Sequence, residues 1–192
     1  MKHSAKPNFR TDVSQPDFEG PVDVGIIVAL REEFRELHPQ LPTPQAIKDE
    51  KTGASDYLFQ WDVENGTAYR CAATFVGVMG PTEAALATER FLNRRQPKTI
   101  VMLGIAAGIN DDVKLGDVIV ATHVGRYLDR AKVISNKDKT FEIRPGGDAF
   151  PCSGDLVRAS LDFEFAHQVR YESWPQSCQT ELTELVTDEN RS

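Results

Sequence analysis

The chain has 192 residues, of which 40% are apolar and 27% charged, so it can form a packed domain and wholesale disorder is excluded. A formal net charge of −7 argues against nucleic acid as a partner, because such binders need clustered Lys and Arg to displace counterions. No apolar run approaches the length of a membrane span, so no membrane partner is expected.

The three cysteines, Cys71, Cys152 and Cys178, are widely spaced, and no Cys or His spacing typical of a metal site occurs. This pattern predicts a reducing compartment, no disulfide framework and no metal. The first 20 residues are polar and lack the apolar centre of a secretory signal. We therefore expect a cytoplasmic protein with a flexible arm over residues 1–20 and one domain over residues 21–192.

The first organised segment is VDVGIIVAL, residues 22–30, whose continuous apolar run is typical of a strand buried on both faces. REEFREL, residues 31–37, follows at once and predicts a helix. A strand that passes directly into a helix favours an α/β fold. Residues 38–56 contain three prolines and are expected to form a loop with little regular structure.

Alternating aromatic and polar residues from position 57 predict a β-hairpin with an Asn65-Gly66 turn. An Ala-rich helix is then predicted from Pro81 to about Arg95. Two further apolar runs predict strands, and we expect residues 22–30, 99–105 and 116–123 to lie together in a central sheet. A charged, turn-rich excursion and a helix with Ser153 at its N-cap complete the prediction.

Glycine-bearing segments follow two of these predicted strands: GVMG at residues 77–80 and GIAAG at residues 104–108. Glycine lets a backbone approach a ligand closely, but the same pattern also arises from tight turns between strand and helix. Neither segment is a P-loop or a dinucleotide fingerprint. Glu32 and Glu33 lie at the predicted end of the first strand, where a carboxylate could activate water or could simply be a solvated first-turn residue.

The order of these pieces resembles the purine nucleoside phosphorylase/uridine phosphorylase superfamily, within it the 5′-methylthioadenosine/S-adenosylhomocysteine nucleosidase branch. The resemblance rests on VGIIVALREEF (24–34), FVGVMGPTEAALAT (75–88) and LGIAAGINDDVKLGDVIVATH (103–123), of which the KLGDVIVATHV part is the most specific. It implies a three-layer αβα phosphorylase-like fold with a central mixed sheet. The match thins out after about residue 130, so the domain is expected to be C-terminally incomplete, with only its N-terminal two-thirds present.

The resemblance also implies site residues. Glu33 matches the glutamate that helps to activate the attacking water, and it is the candidate catalytic residue. Candidate substrate-binding residues match the glycine-rich turn and the nucleoside loop of the family: Gly77, Val78, Met79, Gly80, Ile105, Ala106, Ala107 and Gly108. The family often has Ser or Thr where this chain has Ile105, which weakens a hydroxyl contact to an anion. No cofactor is implied.

Two family motifs are missing. One resembles V-x-M-E-[AGT]-A, whose Glu contacts ribose hydroxyls, and the other is a later S-D, whose Asp protonates the leaving purine. GGDAF, residues 146–150, resembles a family S-G-D-x-F element but follows the KLGD turn without an intervening helix. Since a purine leaves poorly without protonation, the missing acid would cost orders of magnitude in rate.

Three hypotheses follow. The chain is a nucleosidase or phosphorylase that cleaves the N-glycosidic bond of a purine nucleoside or nucleotide, with phosphate as co-substrate in the second case. Alternatively, it is a non-catalytic phosphorylase-like module for nucleotide binding or assembly. It could also be a piece of a larger bacterial regulatory or defence protein. For the enzyme we expect a homo-oligomer, as is usual for this fold.

Overall fold

A computed structural model describes residues 20–63, 66–77, 80–109, 111–126, 130–135, 140–144 and 146–189. The chain divides into two compact units, residues 1–105 and 106–192. None of the described helices is both long and apolar enough to cross a membrane.

The first unit is built around a five-stranded mixed sheet in the order β2-β3-β4-β1-β5. Its strands are β1 (Val24–Val28), β2 (Gln45–Lys48), β3 (Ser55–Asp62), β4 (Ala68–Phe75) and β5 (Thr99–Leu103). β1 pairs in parallel with β4 and β5, while β2, β3 and β4 pair antiparallel. The α/β fold with a central mixed sheet is therefore confirmed.

Helices α1 (Arg31–Leu37) and α2 (Pro81–Arg95) cover opposite faces of this sheet. Because successive strand residues point to opposite faces, Val28 and Phe59 join Phe34 of α1 in one buried cluster. Their sequence neighbours Ile27 and Leu58 join Phe91 of α2 in a second cluster. The apolar strands thus bury both faces, so the first unit has three layers, as in the αβα architecture that the family resemblance implied.

Helix boundaries in this unit follow the local sequence signals. Pro81 occupies the first turn of α2 directly after Gly80, whose φ of +128° favours glycine. The helix ends at Arg95. The next residue, Gln96, adopts a left-handed conformation and donates its N–H to the carbonyl of Leu92. A short 3₁₀ turn, His38–Gln40, follows α1.

One expectation for the first unit was wrong. Residues 38–56 were predicted to be a loop, but they contain β2, which pairs antiparallel with β3 from Gln45↔Leu58 to Lys48↔Ser55. The prolines at positions 39, 42 and 44 all precede the strand, so they do not interrupt its hydrogen bonds. The β3–β4 hairpin itself was predicted correctly; Gly66 has φ +81°, and Asn65 lies outside the described residues.

The described residues of the second unit form two small antiparallel sheets and two helices. β6 (His123–Gly125) pairs with β9 (Ala149–Pro151), and β7 (Lys132–Ser135) pairs with β8 (Phe141–Arg144). Helices α3 (Gly154–Ala166) and α4 (Gln168–Glu189) follow. Ser153 is the N-cap of α3, as predicted, although its side chain makes no capping hydrogen bond.

The predicted central strand over residues 116–123 was wrong. Residues 117–122 form no strand, and only His123 enters one, β6, outside the five-stranded sheet. The apolar side chains of Val118, Ile119 and Val120 are 67%, 54% and 49% exposed. An apolar run indicates a tendency to be buried, but a strand also needs a hydrogen-bonding neighbour, and no described residue pairs with residues 118–120 in a sheet.

Candidate functional site

The carboxyl ends of the three parallel strands of the first unit lie side by side. β1 ends at Val28, paired with Phe75 at the end of β4 and with Leu103 at the end of β5. Beyond β4, Gly77 donates its N–H to the carbonyl of Ala29 across 3.0 Å. In open α/β sheets this edge is where ligand crevices form, so the residues that follow each strand are the candidates for a site.

Glu33 is held at this edge by two backbone N–H groups. Its Oε2 accepts a 3.0 Å hydrogen bond from the N–H of Leu30, which precedes α1. Its Oε1 accepts a 2.8 Å hydrogen bond from the N–H of Ile105, two residues beyond β5. A carboxylate oxygen has two lone pairs, so each oxygen of Glu33 can still accept a hydrogen bond from a bound molecule. The carboxylate is therefore fixed in place and remains chemically available.

A cleft of about 410 Å³ opens beside this carboxylate. It is lined by the end of β1, one side of α1 and the exit of β5, namely Val28, Glu32, Glu33, Arg35, Glu36, Leu37, Leu103, Gly104 and Ile105. Its volume lies within the range of small-molecule sites. Apolar walls with one fixed carboxylate are suited to holding a flat organic ring and orienting a water molecule beside it.

The charge of the cleft is negative. Glu32, Glu33 and Glu36 contribute three carboxylates, and Arg35 is the single cation among the lining residues. A phosphate dianion would meet repulsion from the excess of like charge. The lining therefore favours a neutral or cationic ligand and a neutral nucleophile such as water.

Of the candidate binding residues, Ile105 is brought directly to Glu33, through its main chain. Its side chain is 87% exposed, so the contact depends on the N–H group and not on the residue type. Gly77 and Gly80 both have positive φ angles, +77° and +128°, and neither lines the cleft. Val78 and Met79, predicted with them, lie outside the described residues.

Ala106, Ala107 and Gly108 belong to the second unit and are exposed. Gly108 packs closely, because a Cβ there would lie 2.9 Å from Cβ of Val113. The KLGD turn that follows is closed by Asp117, whose Oδ2 accepts a 2.8 Å hydrogen bond from the N–H of Lys114. Substrate contacts of these three loop residues stay a prediction.

Sequence reasoning missed part of the cleft. Glu36 and Arg35 line it but were not singled out, although Glu36 lies three residues after Glu33 and thus on the same side of α1. Gly104 was noted only as part of a glycine segment, yet it lies against the Glu33 carboxylate. The helical spacing of Glu36 and the glycine at position 104 were both visible in the sequence.

A scan against family models matches residues 23–174 to the phosphorylase superfamily, which is more than half of the chain. The chain belongs to this superfamily. The match includes β1, the Glu33 position, β5 and most of the second unit. It confirms the family inferred from the sequence motifs.

Solved structures of nucleosidases are similar to this chain. The 5′-methylthioadenosine/S-adenosylhomocysteine nucleosidase of Colwellia psychrerythraea, solved with adenine, shares 28% identity at a TM-score of 0.53 over 74% of this chain and 55% of that one. The S-adenosylhomocysteine nucleosidase of Streptococcus pyogenes, solved with 5-methylthiotubericidin, shares 20% sequence identity at a TM-score of 0.54. The match covers 78% of this chain and 58% of that one.

The futalosine hydrolase of Helicobacter pylori shares 15% identity at a TM-score of 0.53 over 77% of this chain and 59% of that one. At 15% and 20% identity, similarity speaks for the fold alone. This superfamily member spans between 55% and 59% of the length of the three enzymes.

Proposed function

We propose that this chain hydrolyses the N-glycosidic bond of a purine nucleoside, with Glu33 orienting and activating the attacking water. The observation that carries the proposal is the Glu33 carboxylate, fixed by the N–H groups of Leu30 and Ile105 at the wall of the cleft. A general base needs a defined position and a free lone pair, and Glu33 has both.

In the proposed reaction the water oxygen attacks the anomeric carbon of the ribose while its proton passes to Glu33. The bond between that carbon and the base nitrogen breaks and its electron pair leaves with the base. The base takes a proton from solvent water, and Glu33 returns its own proton to solvent. Positioning the water against an oxocarbenium-like carbon is the part that the cleft can supply.

Hydrolysis is preferred over phosphorolysis on electrostatic grounds. Three carboxylates and one guanidinium line the cleft, so a dianionic nucleophile is disfavoured relative to water. Ile105, in the place where the family often has a hydroxyl residue, removes one further anion contact. Phosphate is therefore not proposed as a co-substrate.

A purine base as leaving group is supported by the nucleosidase of Colwellia psychrerythraea, which is 28% identical to this chain and was solved with adenine. The apolar side chains of Leu37 and Leu103 in the cleft wall offer a surface for a planar ring.

The test is base release from the purified chain. The chain is incubated with purine nucleosides, methylthioadenosine, S-adenosylhomocysteine and ATP, with and without phosphate, and free base is separated by chromatography. Release without phosphate supports the proposal, and release only with phosphate replaces it by phosphorolysis. Glu33→Gln should lower turnover by a factor of about 10² to 10⁴. Glu89→Gln, on the exposed side of α2, is the matched control and should keep wild-type turnover.

A second candidate is a ligand-binding module without catalysis. It is favoured by the apolar part of the cleft wall, Leu37 and Leu103, which can hold a planar ring whether or not a bond is cleaved. This candidate predicts that calorimetry detects binding of adenine or a nucleoside while no free base forms. If neither binding nor base release is measured with folded protein, both candidates fail.

Assembly and location are proposed separately. We propose a homo-oligomer, which light scattering after size exclusion would test, with a monomeric mass of 21.4 kDa contradicting it. A cytoplasmic location is supported by the free state of Cys71, Cys152 and Cys178. Fractionation of cells that express the chain with a tag would test that location.

A further inference from the structure

Gly104 lies directly against the carboxylate of Glu33. A Cβ placed on Gly104 would be 3.0 Å from Oε1, 3.5 Å from Cδ and 3.5 Å from Oε2 of Glu33, and these are its three nearest atoms. Unlike Gly77 and Gly80, Gly104 is not among the glycines with a positive φ. Its backbone conformation is therefore open to any residue, and the close approach is what favours glycine.

We propose that Gly104 is a positioning residue for Glu33: the missing side chain lets the exit of β5 come close enough for the Ile105 N–H to hold Oε1. The inference rests on the proposed role of Glu33 and adds a second residue that acts through it. The hydrogen bond in question is 2.8 Å long, so the carboxylate cannot move away without stretching it.

A methyl group added at Gly104 would press on the carboxylate of Glu33. The obstructing atoms are at the far end of a flexible side chain, so the carboxylate moves and the backbone does not. Such a movement weakens the bond from Ile105 and shifts the oxygen that faces the cleft. The 3.0 Å contact is relieved when the carboxylate moves by a few tenths of an ångström. Because a displacement of about 1 Å at a reacting group can lower the rate by about 10²-fold, this smaller movement should lower it several-fold, whereas substrate binding depends on the whole lining.

The first experiment is steady-state kinetics of Gly104→Ala. The expected result is a fall in kcat of about 3- to 10-fold with KM changed less than about twofold, because the carboxylate is displaced and the cleft is kept. The matched control is Gly154→Ala, since Gly154 also has an ordinary φ and an added Cβ there meets nothing within 4 Å. An unchanged kcat in Gly104→Ala would overturn the proposal.

The second experiment needs no activity. A double-mutant cycle compares the effect of Gly104→Ala on the urea midpoint in the wild type and in Glu33→Ala. If the methyl group acts through Glu33, the midpoint falls in the wild type and does not fall in Glu33→Ala, where the obstructing atoms are gone. Equal shifts in both backgrounds would overturn the proposal.

The two experiments separate the two possible failures. If the wild-type chain releases no base, the proposed function is lost, while the unfolding cycle still decides whether Gly104 positions Glu33. If the wild type is active and the cycle shows coupling but kcat does not change, the contact is structural only and the proposal is wrong. Coupling together with a selective loss of kcat supports it.

Discussion

The N–H of Ile105 donates a 2.8 Å hydrogen bond to Oε1 of Glu33, although 72 residues separate the two in the chain. The contact connects the exit of β5 to the first turn of α1, and so it ties together the ends of two neighbouring parallel strands. The other carboxylate oxygen, Oε2, accepts a hydrogen bond from the N–H of Leu30. Glu33 therefore holds these segments of the fold together as well as lining the cleft.

Glu33 should therefore contribute to stability. Hydrogen bonds to a charged group contribute about 1.5–3 kcal/mol in folded proteins, and Glu33 makes two in a partly exposed position. We expect Glu33→Ala to lower the free energy of unfolding by about 1–3 kcal/mol, measured by urea denaturation. Glu32→Ala, at the exposed neighbouring position, should stay within about 0.5 kcal/mol of wild type. Equal effects of the two substitutions would contradict this prediction.

The fold of the first unit could largely be predicted, because its signals are local. Each of its elements was predicted from residues that are close together in the chain. Examples are the apolar run before Arg31, the alternation across the β3–β4 hairpin and the proline at position 81 where α2 begins. The strand expected over residues 116–123 failed because strand formation depends on a distant partner, which an apolar run does not specify. Strand β2 was missed because its four residues carry no clear alternation.

The candidate site could be predicted only in part, for a similar reason. Glu33 was found through its position in a family motif. Its hydrogen bond with Ile105 uses the main-chain N–H, which every residue except proline has. The residue type at position 105 therefore does not predict this hydrogen bond. Gly104 does carry a signal, since only glycine leaves that space, but the sequence does not show which atoms occupy it.

Asp56 should be the most costly acidic residue to remove from the first unit. Its side chain is 1% exposed and accepts hydrogen bonds from Nε and Nη2 of Arg94 and from Nε of Arg95, at 2.8–2.9 Å. Asp56→Ala would leave two partly buried guanidinium groups without this carboxylate. We expect a loss of about 3–5 kcal/mol in the free energy of unfolding.

The control for this prediction is Asp62→Ala, on the same strand β3. Asp62 is exposed and accepts a hydrogen bond only from the side chain of Gln60 among the bonds described for it. Its removal should cost less than about 0.5 kcal/mol. Denaturation curves of the two variants under the same conditions make the comparison, and a similar loss in both would contradict the role given to burial.

Gly25 allows α2 to pack on β1. A Cβ at this position would lie 2.7 Å from Cε1 of Phe91 and 3.1 Å from Cβ of Pro97, and Phe91 is fully buried. Gly25→Ala should therefore lower the free energy of unfolding by about 1–3 kcal/mol through overpacking. In a Phe91→Leu background the same substitution should cost less than in the wild type, because the obstructing ring atom is removed. An equal cost in both backgrounds would place the strain elsewhere.

Cys71 should be the least reactive cysteine of the folded chain. Burial, with a smaller contribution from the negative charge of Asp23, raises the pKa of its thiol from 9.0 to about 11. At about pH 8 this lowers the thiolate fraction by about 100-fold, and the side chain is also shielded from reagent. Alkylation followed by peptide mass spectrometry should label the half-buried Cys152 and Cys178 first. Cys71 should react at an ordinary rate in urea, and rapid labelling in the native state would contradict the prediction.

Asp23 should give the first unit a stability contribution that depends on pH. Hydrogen bonds from Nζ of Lys98 at 2.7 Å and from the N–H of Arg70 at 3.0 Å lower the pKa of its carboxyl below the usual 3.8. The unfolded chain therefore takes up this proton at a higher pH than the folded chain. The contribution is present at neutral pH and is lost as the pH falls below about 3.8 through the lower folded pKa.

The variant Asp23→Asn removes the charge and keeps an oxygen that can accept from Arg70. Because Lys98 is 75% exposed, the ion pair is screened by solvent, and we expect a loss of no more than about 1 kcal/mol at neutral pH. The difference between wild type and variant should shrink on acidification and also in concentrated salt. Urea denaturation over a pH series measures it. A difference that stays constant from neutral to acid pH would mean that the charge of Asp23 makes no contribution.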